Sequence, residues 1–174
     1  MGSLLQVQLQ NIPASGWHWH GKFRAADLQD DSCGDIAPLP HGCSDADWDA
    51  VLEHKGGCYH LGGRWSISVR CTCCRCNSPV EHTISGNMTR VFRMGSCDDA
   101  DSDDEDVLPL PGQINLVDVL REEIWLVWPQ NAVCRPECKG LCPHCGADLN
   151  RASCGCAVDN EDHPFSVLRN IVKQ

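Results

Sequence analysis

Apolar and polar residues alternate in two neighbouring stretches near the middle of the chain. Between positions 64 and 71 every second residue is apolar, and the residues between them are serine or arginine. Such a repeat of two is typical of a β-strand with one buried face. A turn sequence, Asn-Ser-Pro, follows at 77–79, and residues 80–94 again contain many strand-forming side chains. The pattern predicts an antiparallel meander with a cluster of cysteines near its turn.

A helical repeat follows between positions 115 and 127. Asn115 can cap the helix, and Pro129 prevents its continuation. Apolar residues recur there at helical spacing and predict one buried stripe, with charged residues facing away. The stripe comprises Leu116, Leu120, Ile124 and Val127, and the opposite face comprises Asp118, Arg121 and Glu122.

Weaker patterns divide the rest of the chain. A short helix is predicted over 44–55, where Ser44 can cap and Trp48 begins an apolar side. The Trp-His-Trp-His run at 17–20 favours a partly buried strand over a stacking platform for nucleic-acid bases. A second short helix, which would dock on the domain, is predicted within 164–172.

The composition indicates a protein that does not bind nucleic acid directly. The formal net charge is −10, from 24 acidic and 14 basic residues. Tight binding to phosphates needs clustered Lys and Arg, so contact with RNA is expected to pass through a basic protein. The acidic run at 97–106 repels itself and predicts a solvated loop.

Fourteen cysteines require either disulfides or metal ligation. The sequence shows no secretory signal and no apolar run of about 18 residues that could span a membrane. We therefore expect a soluble, cytoplasmic protein with reduced thiols, or one in an organelle stroma or matrix if the source is a eukaryote. No small-molecule substrate is indicated.

The densest group of cysteines predicts a zinc site. The first candidate set of four ligands is Cys134, Cys138, Cys142 and Cys145, and the alternative set is Cys142, Cys145, Cys154 and Cys156. Two residues between Cys142 and Cys145 let both sulfurs reach one ion. Because this pair belongs to both sets, its two cysteines are the firmest candidate ligands. About one structural zinc ion per chain is expected.

A second group lies at the predicted turn. Cys73 and Cys76 have the spacing of a metal half-site or of a dithiol redox pair. Because they end a strand rather than begin a helix, redox chemistry is the weaker interpretation. Packing or turn roles are the simpler explanation for the whole group, which comprises Cys71, Cys73, Cys74 and Cys76.

Four motifs, in order, resemble the YceD family of large ribosomal RNA subunit accumulation proteins. They lie in the matching stretch, which runs from about residue 64 to the C-terminus. The motifs are CCRCNSPVEH at 73–82, QINLVDVLREEIWLVWP at 113–129, CKGLCPHCG at 138–146 and HPFSVL at 163–168.

The resemblance implies a role in ribosome biogenesis and no known enzymatic activity. A ribosomal protein or the large-subunit rRNA precursor is the expected partner. A zinc-stabilised adaptor in transcription or metal handling is the main alternative, and a dithiol redox protein is the weaker one.

These observations together predict an α+β fold. It comprises an antiparallel sheet with one or two packed helices and a C-terminal cysteine-rich zinc knuckle. The expected divisions are an N-terminal segment of mixed strands and loops (1–63), a core of sheet and helix with an acidic loop (64–129), and the knuckle with a docking segment (130–174).

Overall fold

The computed structural model describes residues 6–32, 35–94, 106–108 and 112–156. Its strands are β1 (Gln6–Gln8), β2 (Trp17–Phe23), β3 (Ala46–Lys55), β4 (Cys58–Thr72), β5 (Pro79–Met94), β6 (Asp106–Leu108) and β7 (Gln113–Asn115). Its α-helices are α1 (Ala25–Gln29) and α2 (Leu116–Leu126), and a single 3₁₀ turn follows β1 (Leu9–Asn11). The predicted α+β class is confirmed.

Strands β2 to β6 form one sheet in chain order. Every neighbouring pair is antiparallel except β5 with β6, which run parallel. Strands β1 and β7 form a separate two-stranded sheet that leads directly into α2. Because consecutive strands pair, the connections from β3 to β4 and from β4 to β5 are short. The connection from β2 to β3 is a longer loop that contains α1.

One face of the five-stranded sheet carries the core. Trp48 on β3 lies opposite Trp65 on β4, and both are buried, as is Ile67 on the same face. Gly86 on β5 faces Trp65 and leaves room for the indole, because a Cβ at this position would stand 2.9 Å from the ring. Helix α2 contacts β5 and α1, and its apolar residues complete the core cluster.

The meander predicted from residue 64 onward is confirmed as β4 and β5. They pair from Tyr59 opposite Phe92 to Thr72 opposite Pro79. The Trp-His-Trp-His run lies in strand β2, as expected. Strand β4 runs through position 63, where the sequence placed the end of the N-terminal segment.

The helix predicted over 44–55 is wrong, because these residues form strand β3. Ala46, Trp48, Ala50 and Leu52 are all buried and alternate with residues that are exposed or half-buried. The small alanines weaken this alternation in the sequence, so the larger residues mimic a helical stripe. The Ser44 hydroxyl, instead of capping a helix, accepts a hydrogen bond of 3.1 Å from the backbone N–H of Ser68.

Helix α2 begins as predicted. The side chain of Asn115 caps it by accepting a hydrogen bond of 3.1 Å from the backbone N–H of Val117. The buried stripe is confirmed for Leu116, Leu120 and Ile124, but Val127 is 46% exposed. The backbone N–H of Val127 reaches back to the carbonyl of Ile124, so the stripe stops where the helix ends.

Arg121 was expected on the solvent face of α2 and is instead fully buried. Its guanidinium donates hydrogen bonds to the backbone carbonyls of residues in and after α1, at 2.6–3.1 Å. These carbonyls belong to Asp27, Leu28, Asp30 and Ile36. Arg121 therefore binds the backbone around α1, and its own side chain is fully buried by this contact.

Parts of the sequence predictions lie outside the described residues. These are the acidic loop at 97–106, apart from Asp106 in β6, and the docking helix within 164–172. Within the described part of the chain, no helix is long and apolar enough to cross a membrane.

We predict that Arg121→Met destabilises the protein by about 3 kcal/mol, because four backbone carbonyls at the covered side of α2 lose a charged donor. The matched control is Arg64→Met, at a side chain that is 76% exposed and pairs with Asp49 on the surface. That control should cost less than about 1 kcal/mol. Urea unfolding of both variants gives the comparison, and equal losses would contradict the structural role of Arg121.

Candidate metal centres

The structure describes twelve cysteines and assigns no disulfide among them. Eight of them form two groups of four, and within each group every Sγ lies within 4.8 Å of the others. We call the first the long-range tetrad (Cys73, Cys76, Cys134 and Cys138) and the second the knuckle tetrad (Cys142, Cys145, Cys154 and Cys156). Each group could hold a metal ion.

The long-range tetrad joins two distant parts of the sequence. Cys73 and Cys76 lie in the turn between β4 and β5, and Cys134 and Cys138 follow α2. The Sγ atoms of Cys73 and Cys138 are 3.8 Å apart, and those of Cys76 and Cys134 are 3.7 Å apart. All except Cys134 are buried.

The turn that presents Cys73 and Cys76 is shaped by its own backbone. The N–H of Cys73 bonds to the carbonyl of Ser78 at 2.8 Å, and the N–H of Asn77 returns to the carbonyl of Cys73 at 2.9 Å. Asn77 has a φ of 58°, a left-handed conformation that asparagine tolerates better than most residues. Both thiols thereby face the same side of the turn.

Hydrogen bonds fasten the segment after α2 to this turn. The backbone N–H of Cys74 donates to the carbonyl of Ala132, and that of Leu141 donates to the carbonyl of Arg75, both at 2.9 Å. The Arg75 guanidinium also donates to the carbonyls of Pro136 and Cys138, at 3.2 and 3.0 Å. The long-range tetrad therefore lies inside a docked interface.

Polar groups surround the sulfurs of the long-range tetrad. The Asn150 amide donates to Cys138 Sγ at 3.5 Å, and the backbone N–H of Arg75 donates to Cys73 Sγ at 3.4 Å. Asn150 is itself fixed by hydrogen bonds to the Asp148 carboxylate at 2.8 and 2.9 Å. Donors of this kind favour thiolate over thiol.

The four cysteines of the knuckle tetrad lie close together in the sequence. The backbone N–H of Cys142 bonds to the carbonyl of Ala147, and that of Gly146 returns to the carbonyl of Cys142, at 2.8 and 2.9 Å. Gly146 takes a φ of 73°, which glycine allows without strain. Only Cys142 in this tetrad is buried.

The cysteines of the long-range tetrad have widely different pKa values. Burial raises the pKa of Cys73, but hydrogen bonds from backbone N–H groups, those of Cys134 and Arg75 first, outweigh it and bring the pKa to about 6. Burial and then the hydrogen bond with Cys138 raise the pKa of Cys134 to about 12. Thiolates crowded at this distance repel one another, and a bound cation would balance their charge.

The cysteines of the knuckle tetrad likewise have widely different pKa values. The backbone N–H groups of Cys145 and His144 lower the pKa of Cys142 to about 6. The hydrogen bond with Cys145 and burial raise the pKa of Cys156 to about 12. A bound divalent cation would lower the pKa of all four thiols, because it favours the thiolate form of every ligand.

The structure does not bring together the first set of ligands expected from the sequence. Cys134 and Cys138 join the turn cysteines, whereas Cys142 and Cys145 join Cys154 and Cys156, as in the alternative set. Local spacing failed because Gly140, with a φ of 75°, redirects the chain between the two halves. The sequence did carry a signal for this arrangement, because Cys73 and Cys76 supply only two of the four ligands that a zinc ion needs.

Two cysteines beside the long-range tetrad are not part of it. Cys71 Sγ lies 3.8 Å from the carbonyl of Val80, to which it donates, and Cys74 is exposed. Cys73 and Cys76 follow a strand and do not begin a helix, as the sequence indicated.

Comparison with known proteins places this architecture in a family. The model of the family described as large ribosomal RNA subunit accumulation protein YceD matches residues 61–172, well over half of the chain. The chain belongs to the YceD family. This confirms the resemblance carried by the four motifs, and the matched range contains both tetrads.

Curated relatives support the membership of the YceD family. A chloroplastic YCED homolog 1 of Arabidopsis thaliana, named for large ribosomal RNA subunit accumulation, is 34% identical over 73 residues, covering 40% of this chain and 23% of that protein. The Zea mays homolog 1 is 42% identical over 79 residues, covering 43% and 27%. An uncharacterized protein of Mycobacterium tuberculosis is 34% identical over 79 residues, covering 44% and 38%.

The matched stretch therefore spans well under half the length of these relatives. No solved structure matches the chain significantly.

We predict that Gly140→Ala destabilises the protein by about 3 kcal/mol. A Cβ there would lie 2.9 Å from the Arg75 carbonyl oxygen, which adds a clash to the roughly 1–2 kcal/mol cost of a left-handed residue. Gly146→Ala is the control, since it has nearly the same φ and open space around its Cβ. It should show the conformational cost alone. Urea unfolding at fixed zinc concentration separates the two, and equal losses would refute the docking contact.

Proposed function

We propose that this chain is a non-enzymatic ribosome biogenesis factor that supports accumulation of large-subunit ribosomal RNA. The match to the YceD family over residues 61–172 carries the proposal. The matched range includes most of β4, all of β5, helix α2 and both tetrads. Two of the curated relatives are named for the same role.

The metal proposed for the knuckle tetrad is a structural zinc ion. Zinc favours four soft ligands in a tetrahedron, and Cys142, Cys145, Cys154 and Cys156 supply four sulfurs within reach of one another. A closed set of four thiolates leaves no position for water or substrate, which fits a structural rather than a catalytic ion. His144 is exposed at the tip of the loop and is not needed as a ligand.

A basic ribosomal protein is the proposed direct contact, rather than naked RNA. Seven of the 24 acidic residues fall between positions 98 and 106, a stretch without a single Lys or Arg. On the sheet face away from the core, Asp47 and Asp49 are already paired with Lys22 and Arg64 at 3.2 Å. The unbalanced charge thus lies chiefly in the acidic segment, which would steer a cationic protein toward the chain.

Deleting the gene in the organism that encodes it tests the role. We expect the ratio of large-subunit to small-subunit rRNA to fall and the large-subunit precursor to accumulate, with small-subunit rRNA as the internal control. Re-expression of the wild-type chain should restore the ratio. An unchanged ratio together with normal precursor processing would overturn the proposal.

A further inference from the structure

We propose that the long-range tetrad binds a second zinc ion, separate from the knuckle ion, which clamps the segment after α2 onto the β4–β5 turn. The inference deepens the zinc part of the proposed function and doubles the stoichiometry expected from the sequence. It does not depend on the ribosomal role. The geometry, the surroundings and the connectivity of the four sulfurs each support it.

The spacing of the sulfurs fits a shared ion. A regular tetrahedron with zinc–sulfur bonds of about 2.3 Å has sulfur–sulfur edges of about 3.8 Å. Two of the sulfur–sulfur distances in the long-range tetrad are 3.8 Å, for Cys73 with Cys138, and 3.7 Å, for Cys76 with Cys134. All four sulfurs lie within 4.8 Å of one another. Disulfides would bring each pair to about 2.05 Å.

The surroundings suit a metal–thiolate centre. Val80, Val133 and Leu141, each partly buried, pack against the buried residues Cys73, Cys76 and Cys138. Burying several thiolates in an apolar shell is costly unless a cation neutralises them. The hydrogen bonds from Asn150 and from the backbone of Arg75 supply the outer donors that commonly orient metal ligands.

Connectivity gives the two ions different roles. The sulfur pairs of the long-range tetrad are separated by 58 and 65 residues along the chain, and helix α2 lies between their two halves. The knuckle ligands all lie within positions 142–156. A link that closes a long loop restricts the unfolded chain more than one that closes a short loop. The second ion would therefore hold the tertiary interface, and the first a local loop.

The direct test is metal content of the purified full chain by native mass spectrometry. We expect two zinc ions in the wild-type protein and one in the double variant Cys73→Ser Cys138→Ser. The matched control is Cys71→Ser Cys74→Ser, which removes the neighbouring thiols outside the tetrad and should keep two ions. Cys145→Ser Cys154→Ser should keep one ion, held by the long-range tetrad.

Hydrogen exchange shows where each ion acts. The amide of Leu141, which bonds to the carbonyl of Arg75, should exchange at least tenfold faster in the Cys73→Ser Cys138→Ser variant. Amides between β3 and β4 should stay protected, which shows that the sheet remains folded. In the knuckle variant, Leu141 should stay close to its wild-type rate.

The outcomes separate this inference from the zinc proposal for the knuckle tetrad. A wild-type chain with one ion that the Cys73→Ser Cys138→Ser variant retains would overturn the clamp and leave the knuckle zinc intact. A chain with two ions whose Leu141 amide is equally protected in that variant would overturn the clamping role. A chain without zinc would overturn both metal assignments, whereas the rRNA measurement tests the ribosomal role by itself.

Discussion

The pairing of β4 with β5 is the interaction on which the rest of the structure depends. One face of this long hairpin carries Trp65 and Ile67 into the core, where α2 closes over it. Its turn holds Cys73 and Cys76 and receives the chain that follows α2. Because side chains alternate strictly along a strand, a slip of one residue would expose the core face. The same register therefore fixes both the apolar core and the position of the turn thiols.

The cysteine-rich region extends this hairpin and is not an independent appendage. The backbone carbonyl of Arg75 accepts a hydrogen bond from the N–H of Leu141, and the Arg75 guanidinium donates one to the carbonyl of Cys138. Beyond Gly140 the chain turns away and forms the knuckle loop. Gathered thiols repel one another as they ionise, which the split pKa values of Cys73 and Cys134 express. A bound cation would balance the charge of the thiolates, so we expect folding of this region to be coupled to metal binding.

Local patterns in the sequence predicted the elements whose signal is itself local. The alternation in β4 and the capped helix α2 both depend on residues close in sequence, and both are confirmed. Strand β3 was mistaken for a helix because its buried alanines carry little hydrophobic signal. Arg121 was misplaced because its partners lie about 90 residues away, on the loop around α1. The long-range tetrad was missed for the same reason: spacing identifies half-sites, whereas only the fold decides which halves meet.

The central claim is that the cysteines form closed four-sulfur metal centres that complete the fold. X-ray absorption at the zinc edge of the purified chain tests it most directly, because it counts the atoms bound to the metal. The account predicts an average of four sulfurs at about 2.3 Å and no nitrogen or oxygen ligand. Zinc with two or three sulfurs and a nitrogen or oxygen neighbour would contradict it, since that shell describes an open site built from other residues.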